Sequence, residues 1–301
     1  MTLRDHLSHA ETRLRSGPHP DRARLDAETL LLHLLGKQRA WLIAHQDDEF
    51  GGCTAIRYAA LLDRRAKGEP IQYITGECEF YGLPFRVTPD VLIPRPETEH
   101  LVENAFSLAA QLGAPSKPPV LRFGWETENS DPPLRILDIG TGSGAIAVAL
   151  AHGLPGANIT ATDISAHALA LAAENAARNA VAGRIRFLQG DLLAPVIREQ
   201  FDLIVSNPPY VPTIDRESLS VEVRDYEPSI ALFAGSDGLD IDRRLIPAAF
   251  ASLAPGGFLV LEIGFGQSSA IEALLTSAGF TDIESILDLQ QIPRVLSARR
   301  P

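Results

Sequence analysis

The chain has 301 residues, 45% hydrophobic and 22% charged, enough for one large or two ordinary globular domains with a real core. A net charge of −11 disfavours a broad basic nucleic-acid surface, and two cysteines without metal-type spacing argue against a disulfide framework or a zinc site. No apolar run is long enough to cross a bilayer and Met1–His6 lacks the layout of a secretory signal, so a cytoplasmic protein without membrane contact is expected.

The first part reads as helical. Leu3 to Arg15 is amphipathic, and Asp21 to Leu35 carries Leu25, Leu30, Leu31, Leu32, Leu34 and Leu35 before ending at Gly36. A short apolar turn or helix is expected around Trp41 to His45, and a further helix from Thr54 to Lys67. These leucine stripes are expected to form core. Phe80, Tyr81, Phe85 and Val87 around Gly82 and Pro84 predict a hairpin. Pro96 suits a helix first turn, and Glu97 and Glu99 suit its positive end, so a helix is expected to run to about Leu112. Residues 114–133, rich in Pro and polar residues, read as a loop insertion in which Phe123 and Trp125 are unusual.

From Leu134 the pattern alternates strand and helix. Strands are expected at 135–138, 158–162, 185–189, 201–206, 258–263, 282–287 and 295–298, with helices at 145–152, 166–180, 240–251 and 268–277. That succession implies an α/β fold with a mostly parallel seven-stranded sheet covered on both faces, its ligands at the C-terminal strand ends.

Gly140-Thr141-Gly142-Ser143-Gly144 lies between the first of these strands and its helix. Glycines permit a tight turn and close approach to backbone N–H groups, and the helix N-terminus favours an anion. The loop alone fits either a nicotinamide dinucleotide or S-adenosyl-L-methionine. Asp163, about 20 residues further at the next strand end, is placed to accept ribose hydroxyls. Its bland alternative is a helix cap, for which Ser165 is better suited. Asp191 is placed to bind an adenine amino group, with a plain turn role nearly as well supported.

Asn207-Pro208-Pro209-Tyr210 follows the strand at 201–206 and separates the two cofactors. Two prolines fix two φ angles and remove two N–H donors, leaving an acceptor-rich corner. Hydride transfer has no use for such a corner. Methylation of an amide or aromatic amine does, because that nitrogen is a weak nucleophile. Asn207 Oδ1 and the Pro208 carbonyl would each accept one N–H, and Tyr210 would stack on the flat group, so that catalysis is positioning plus acceptor stabilisation.

These motifs resemble the PrmC/HemK family, the protein-(glutamine-N5) methyltransferases of peptide chain release factors. The resemblance is carried over most of the chain by Gly76–Phe85, Leu92-Ile93-Pro94-Arg95-Pro96-Glu97-Thr98-Glu99, the Gly140 loop, Ser206–Tyr210, Tyr226-Glu227-Pro228, Gly235–Leu239 and Gly256–Gly264. It implies a class I S-adenosylmethionine-dependent methyltransferase, Rossmann-like, with a small N-terminal helical domain. The implied divisions are a substrate-docking domain at 1–75, a hairpin linker at 76–95 and the methyltransferase domain at 96–301. It also implies that Gly140 to Gly144 cradle the cofactor, that Asp163 binds its ribose, that Asp191, Leu192 and Asn207 also contact the cofactor, and that Asn207 and Pro208 hold a glutamine amide with Pro209 and Tyr210 alongside. Leu192 stands where relatives often carry an aromatic residue, so adenine packing there would be aliphatic. The implied partners are class 1 release factors, methylated at the glutamine of their Gly-Gly-Gln loop, with no direct nucleic-acid binding. The chief alternative is an adenine-N6 methyltransferase on DNA or ribosomal RNA, with Tyr210 against a flipped base. A catalytically silent binding module is a further alternative. Arg95, Glu97 and Glu99 are left open between ligand contact and fold stabilisation.

Overall fold

The computed structural model describes residues 1–113 and 133–301. The 114–133 insertion, with Phe123 and Trp125, lies outside the described residues except for its last position. The chain divides into two compact units, Met1–Glu77 with Ser218–Glu227, and Cys78–Glu217 with Pro228–Pro301.

The first unit is helical: α1 (Leu3–Arg15), α2 (Ala23–Leu35), α3 (Arg39–Ala44), α4 (Gly52–Ala66) and α5 (Ile71–Thr75). Helix α1 begins where Thr2 and Asp5 satisfy each other's backbone N–H groups, a capping box. It buries Leu3, Leu7, Ala10 and Leu14, the stripe expected at helical spacing. In α2, Leu30 and Leu31 are fully buried, whereas Leu25 is 50% exposed and stands outside the core. Helix α5, which the sequence did not single out, adds Ile71 and Ile74 to that core.

Residues 218–227 join this unit around a buried cation, and Tyr226 hydroxyl adds a bond to the Lys67 carbonyl at 3.3 Å. Arg65 on α4, 3% exposed, donates to Asp26 on α2 at 2.6 Å and to Glu222 of the short helix Val221–Tyr226. His19 lies 3.2 Å from Glu222, and its pKa is lowered, chiefly by burial. The segment between Val211 and Leu239 therefore does not belong to one unit throughout. Its middle is built into the helical unit.

The second unit opens with the hairpin β1 (Glu77–Phe80) and β2 (Leu83–Arg86). Its Phe80 and Phe85 are buried in the core of the sheet unit, so the hairpin packs as part of that unit. Helix α6 (Thr98–Gln111) starts two residues later than Pro96 suggests. Glu97 is its N-cap without a side-chain bond, and Glu99 instead accepts the Tyr81 N–H at 2.8 Å. Then come β3 (Arg135–Ile139), α7 (Ala145–Gly153), β4 (Asn158–Asp163), α8 (Ala166–Arg178), β5 (Ile185–Gln189) and β6 (Phe201–Ser206). The helices Asp242–Ser252 and Ser268–Ala278 flank β7 (Leu253–Glu262), followed by β8 (Thr281–Leu287) and β9 (Pro293–Arg299).

The sheet order is β5-β4-β3-β6-β7-β9-β8, with only β9 antiparallel to its neighbours. Strand periodicity divides the interior between the two faces. Ile136, Leu203, Val205 and Val260 join α6 and α7 in one cluster, whereas Leu137, Ile204, Leu259 and Leu261 join the helix Asp242–Ser252 in the other. This explains why the central strands read as continuous apolar runs.

Arg65→Ala is expected to destabilise the helical unit by ~3–5 kcal/mol, because it removes the buried cation hydrogen-bonded to Asp26 and leaves only the more exposed Arg22 at 3.5 Å; denaturant unfolding followed by tryptophan fluorescence checks this. Asp242 is fully buried with neither carboxylate oxygen hydrogen-bonded, and burial pushes its pKa up to about 7. A carboxyl raised in the fold stabilises it at acid pH, and that contribution is lost as pH rises toward 7. Asp242→Asn should therefore flatten part of the fall in Tm between pH ~4 and ~7, as measured by calorimetry across that range.

Candidate active site

Strands β3 and β6 run parallel and adjacent, with Ile139 opposite Ser206 and Ser206 Oγ donating to the Ile139 carbonyl at 2.8 Å. The strand order reverses between them, which opens a crevice above their C-terminal ends. The Gly-rich loop leaves β3 and the Asn-Pro-Pro-Tyr segment leaves β6, so both emerge at this crevice.

The loop turns on Gly140, Gly142 and Gly144, all at positive φ. At Gly144 a Cβ would come within 3.0 Å of the Ala172 side chain, so close packing of α7 on α8 demands glycine. Beneath the loop, Asp138 Oδ2 accepts from Thr141 Oγ1 at 2.6 Å and from the Ala147 N–H at 3.2 Å. Burial pushes the Asp138 pKa up to about 7, against these two bonds, which pull it down.

Asp163 ties two backbones together. Its Oδ2 accepts the Gly142 N–H at 2.8 Å and its Oδ1 the Ser165 N–H at 2.9 Å. Ser165 caps α8 through Ala168, so the cap role belongs to Ser165. Each carboxylate oxygen has two lone pairs, and Asp163 retains acceptor capacity toward the cavity that it lines. Asp191 lines the same cavity but is engaged by Arg244 in an exposed ion pair. Such a pair is worth little and can open to a ligand. Leu192 sits at φ 50° and also lines the cavity.

On the opposite wall, Asn207 Nδ2 donates to Thr98 Oγ1 at 3.1 Å. Among the described residues no donor bonds to Asn207 Oδ1 or to the Pro208 carbonyl. The two expected acceptors are thus not consumed internally. Tyr210 hydroxyl donates to Glu262 Oε1 at 3.4 Å, and the Tyr210 carbonyl accepts from Gln267 Nε2 at 2.9 Å. The approach is close enough that a Cβ at Gly238 would fall 2.2 Å from the Tyr210 carbonyl oxygen, which accounts for a glycine there.

The cavity encloses about 290 Å³. Gly140 to Ser143, Asp163, Asp191, Leu192, Asn207 and Pro209 line it. Gly144, Pro208 and Tyr210 are not among the residues that line it. Sequence reasoning missed Glu262 and left Thr98 and Arg95 open between ligand contact and a structural role; Arg95 and Thr98 both line the cavity. Ile230, Ile241 and Arg244 complete it from segments with no motif of their own.

The residues present fit S-adenosylmethionine. A glycine loop offers backbone N–H groups, two carboxylates stand at successive strand ends, and an apolar wall includes Ile139, Ile164 and Leu192. Asp163→Ala is expected to weaken S-adenosylmethionine binding about tenfold or more, the equivalent of one hydrogen bond to a charged group; titration calorimetry measures it, and unchanged affinity would remove the ribose assignment.

Comparison with known proteins identifies the family. Residues 5–76 match the PrmC N-terminal domain and residues 127–222 match the methyltransferase small domain. A release factor glutamine methyltransferase from Koribacter versatilis is 40% identical over 302 residues, covering 100% of this chain and 99% of the relative. One from Moorella thermoacetica is 44% identical over 289 residues, covering 95% and 94%. Among solved structures, the human Mettl16 catalytic domain in complex with the MAT2A 3′UTR hairpin 6 aligns with TM-score 0.54 over 81% of each chain at 17% identity, a likeness of fold. With full-length identity at this level, and with the Gly-rich loop and the Asn207 corner facing one cavity, the chain belongs to the release factor glutamine methyltransferase family.

Proposed function

We propose that this chain transfers a methyl group from S-adenosyl-L-methionine to the N5 side-chain nitrogen of the glutamine in the Gly-Gly-Gln loop of class 1 peptide chain release factors. The observation that carries the reading is the pair of uncommitted acceptors, Asn207 Oδ1 and the Pro208 carbonyl, on a proline-stiffened turn beside the Gly-rich loop. When bound, the cofactor supplies an electrophilic methyl carbon. The chain's own task is to hold the nitrogen. Two N–H groups directed at two fixed oxygens orient its lone pair, and the same oxygens stabilise the positive charge that develops as the N–C bond forms. The proton leaves after transfer, so no strong base is required.

Tyr210 supports this corner through its hydroxyl bond to Glu262. Gly140 to Gly144, Asp163, Asp191 and Leu192 are assigned to the cofactor, and Asn207 to Tyr210 to the glutamine. The helical unit, Met1–Glu77 with Ser218–Glu227, is assigned to docking of the release factor.

An adenine amine would present the same pair of N–H groups. The net charge of −11 disfavours a polyanionic substrate, and we assign no nucleic-acid partner. No helix of the described residues is long and apolar enough to cross a membrane. A release-factor substrate places the enzyme in the cytoplasm.

Labelled S-adenosylmethionine offered alongside purified release factor, its Gln-substituted variant and adenine-containing nucleic acid should label the first alone. Labelling of the nucleic acid instead would replace this reading. Asn207→Ala is expected to lower kcat by ~10² or more with the fold and cofactor affinity retained, as when one transition-state hydrogen-bond partner is lost; single-turnover kinetics measure it.

A further inference from the structure

Glu262 is the one charged side chain of the central β7 that is buried at the catalytic corner, at 3% exposure. Thr98 is equally hidden, at 4%. Four polar side chains meet here. Asn207 Nδ2 donates to Thr98 Oγ1 at 3.1 Å, and Tyr210 hydroxyl donates to Glu262 Oε1 at 3.4 Å. Thr98 and Asn207 also pull the Glu262 pKa down, while the carboxylate's Oε2 is buried without a hydrogen-bond partner. We propose that Glu262 and Thr98 are positioning residues that set the flip of the Asn207 amide, holding its NH₂ away from the substrate so that Oδ1 faces the cavity. This rests on the assignment of Asn207 Oδ1 as a substrate acceptor.

The argument is one of donor and acceptor counting. An ionised carboxylate only accepts. Thr98 has a single hydroxyl proton, and with that proton directed to Glu262 its oxygen has only lone pairs left for Asn207. Asn207 must then turn its NH₂ toward Thr98, which is the orientation observed. The other flip would bring Oδ1 against a lone pair and aim NH₂ at the substrate. A corner in that state would offer a donor and suit a carboxyl or carbonyl oxygen. With the relay intact it offers two acceptors and selects an NH₂ group. The relay therefore discriminates a glutamine amide from a glutamate carboxylate at the same position.

The direction of the relay depends on Glu262 being ionised. Burial pushes its pKa up to about 7, Glu97 adds to that rise, and Thr98, Tyr210 and Asn207 pull it back. Arg95 and Arg294 act on the corner through Tyr210. Once protonated, Glu262 can itself donate to Thr98, and the Thr98 proton is free to turn toward Asn207 Oδ1. The productive flip is thus secured above the Glu262 pKa, and turnover should rise with pH through the region of 7.

The test compares Thr98→Val, Thr98→Ser, Glu262→Gln and Asn207→Ala in steady-state methylation of purified release factor, with S-adenosylmethionine affinity measured by calorimetry. Thr98→Val and Glu262→Gln are expected to lower kcat by about tenfold to a hundredfold, the range for partners that orient a functional group, with cofactor affinity unchanged. Thr98→Ser, which keeps the hydroxyl, should restore most of the turnover. The rise of kcat near pH 7 should vanish in Glu262→Gln and persist in Thr98→Ser. The Glu-substituted release factor should compete several-fold better against Thr98→Val than against the wild type. Wild-type kcat in Thr98→Val, an unchanged pH profile in Glu262→Gln, or equal losses in Thr98→Ser and Thr98→Val overturns the relay. If Asn207→Ala is inactive while Thr98→Val is not, the relay alone fails. If Asn207→Ala turns over normally, the underlying assignment of the site fails.

Discussion

Ile139 and Ser206 are partners on adjacent parallel strands, and the rest of the site depends on that register. Each strand ends there, and each is followed by a segment with fixed backbone geometry. After Ile139 come three glycines at positive φ, and after Ser206 come Asn207 and two prolines. Parallel pairing makes the two exits neighbours, and the reversal of strand order between them keeps a helix from covering the gap. A slip of one residue would turn every side chain of β6 to the opposite face. The hydrophobic division prevents this, because Leu203 and Val205 belong to one interior and Ile204 to the other.

On this rigid frame the polar groups are few and deeply placed. Asp138, Asp242 and Glu262 are all buried, and burial raises the pKa of each to about 7. Two of the three serve the cavity from behind. Asp138 holds Thr141 and Ala147 under the Gly-rich loop, and Glu262 stands behind Tyr210 and Asn207. Both walls are thus organised by a carboxyl removed from water, where each hydrogen bond is stronger and each unmet one more costly. The groups that face the cavity are mostly backbone, short polar side chains and aliphatic surface. That division suits a reaction governed by placement more than by acid–base strength.

The helical unit shows the same economy in a different form. Its core is a plain leucine assembly, yet one buried guanidinium, Arg65, collects carboxylates from α2 and from the short helix Val221–Tyr226. The chain leaves the sheet unit at Glu217 and returns at Pro228, ahead of the Gly238 that packs against the Tyr210 carbonyl. The segment that follows Tyr210 is therefore built into the helical unit at 218–227, where Glu222 meets Arg65.

Much of this protein was legible in its residues. The Gly140 loop, Asp163 and Asn207-Pro208-Pro209-Tyr210 carry their geometry locally, through φ preferences, missing donors and strand-end position. They could be placed at one crevice from the alternation of strand and helix alone. The leucine stripe of α1 and the seven strands follow from periodicity. Tertiary structure alone decided the placement of Thr98 and Glu262. One opens α6 and the other ends β7, and neither carries a motif that links it to Asn207 across the fold. It also decided the attachment of 218–227 to the helical unit and the pairing of Asp191 with Arg244. These are long-range contacts between side chains, set by how layers stack, and a linear pattern encodes local conformation more strongly than it encodes partners.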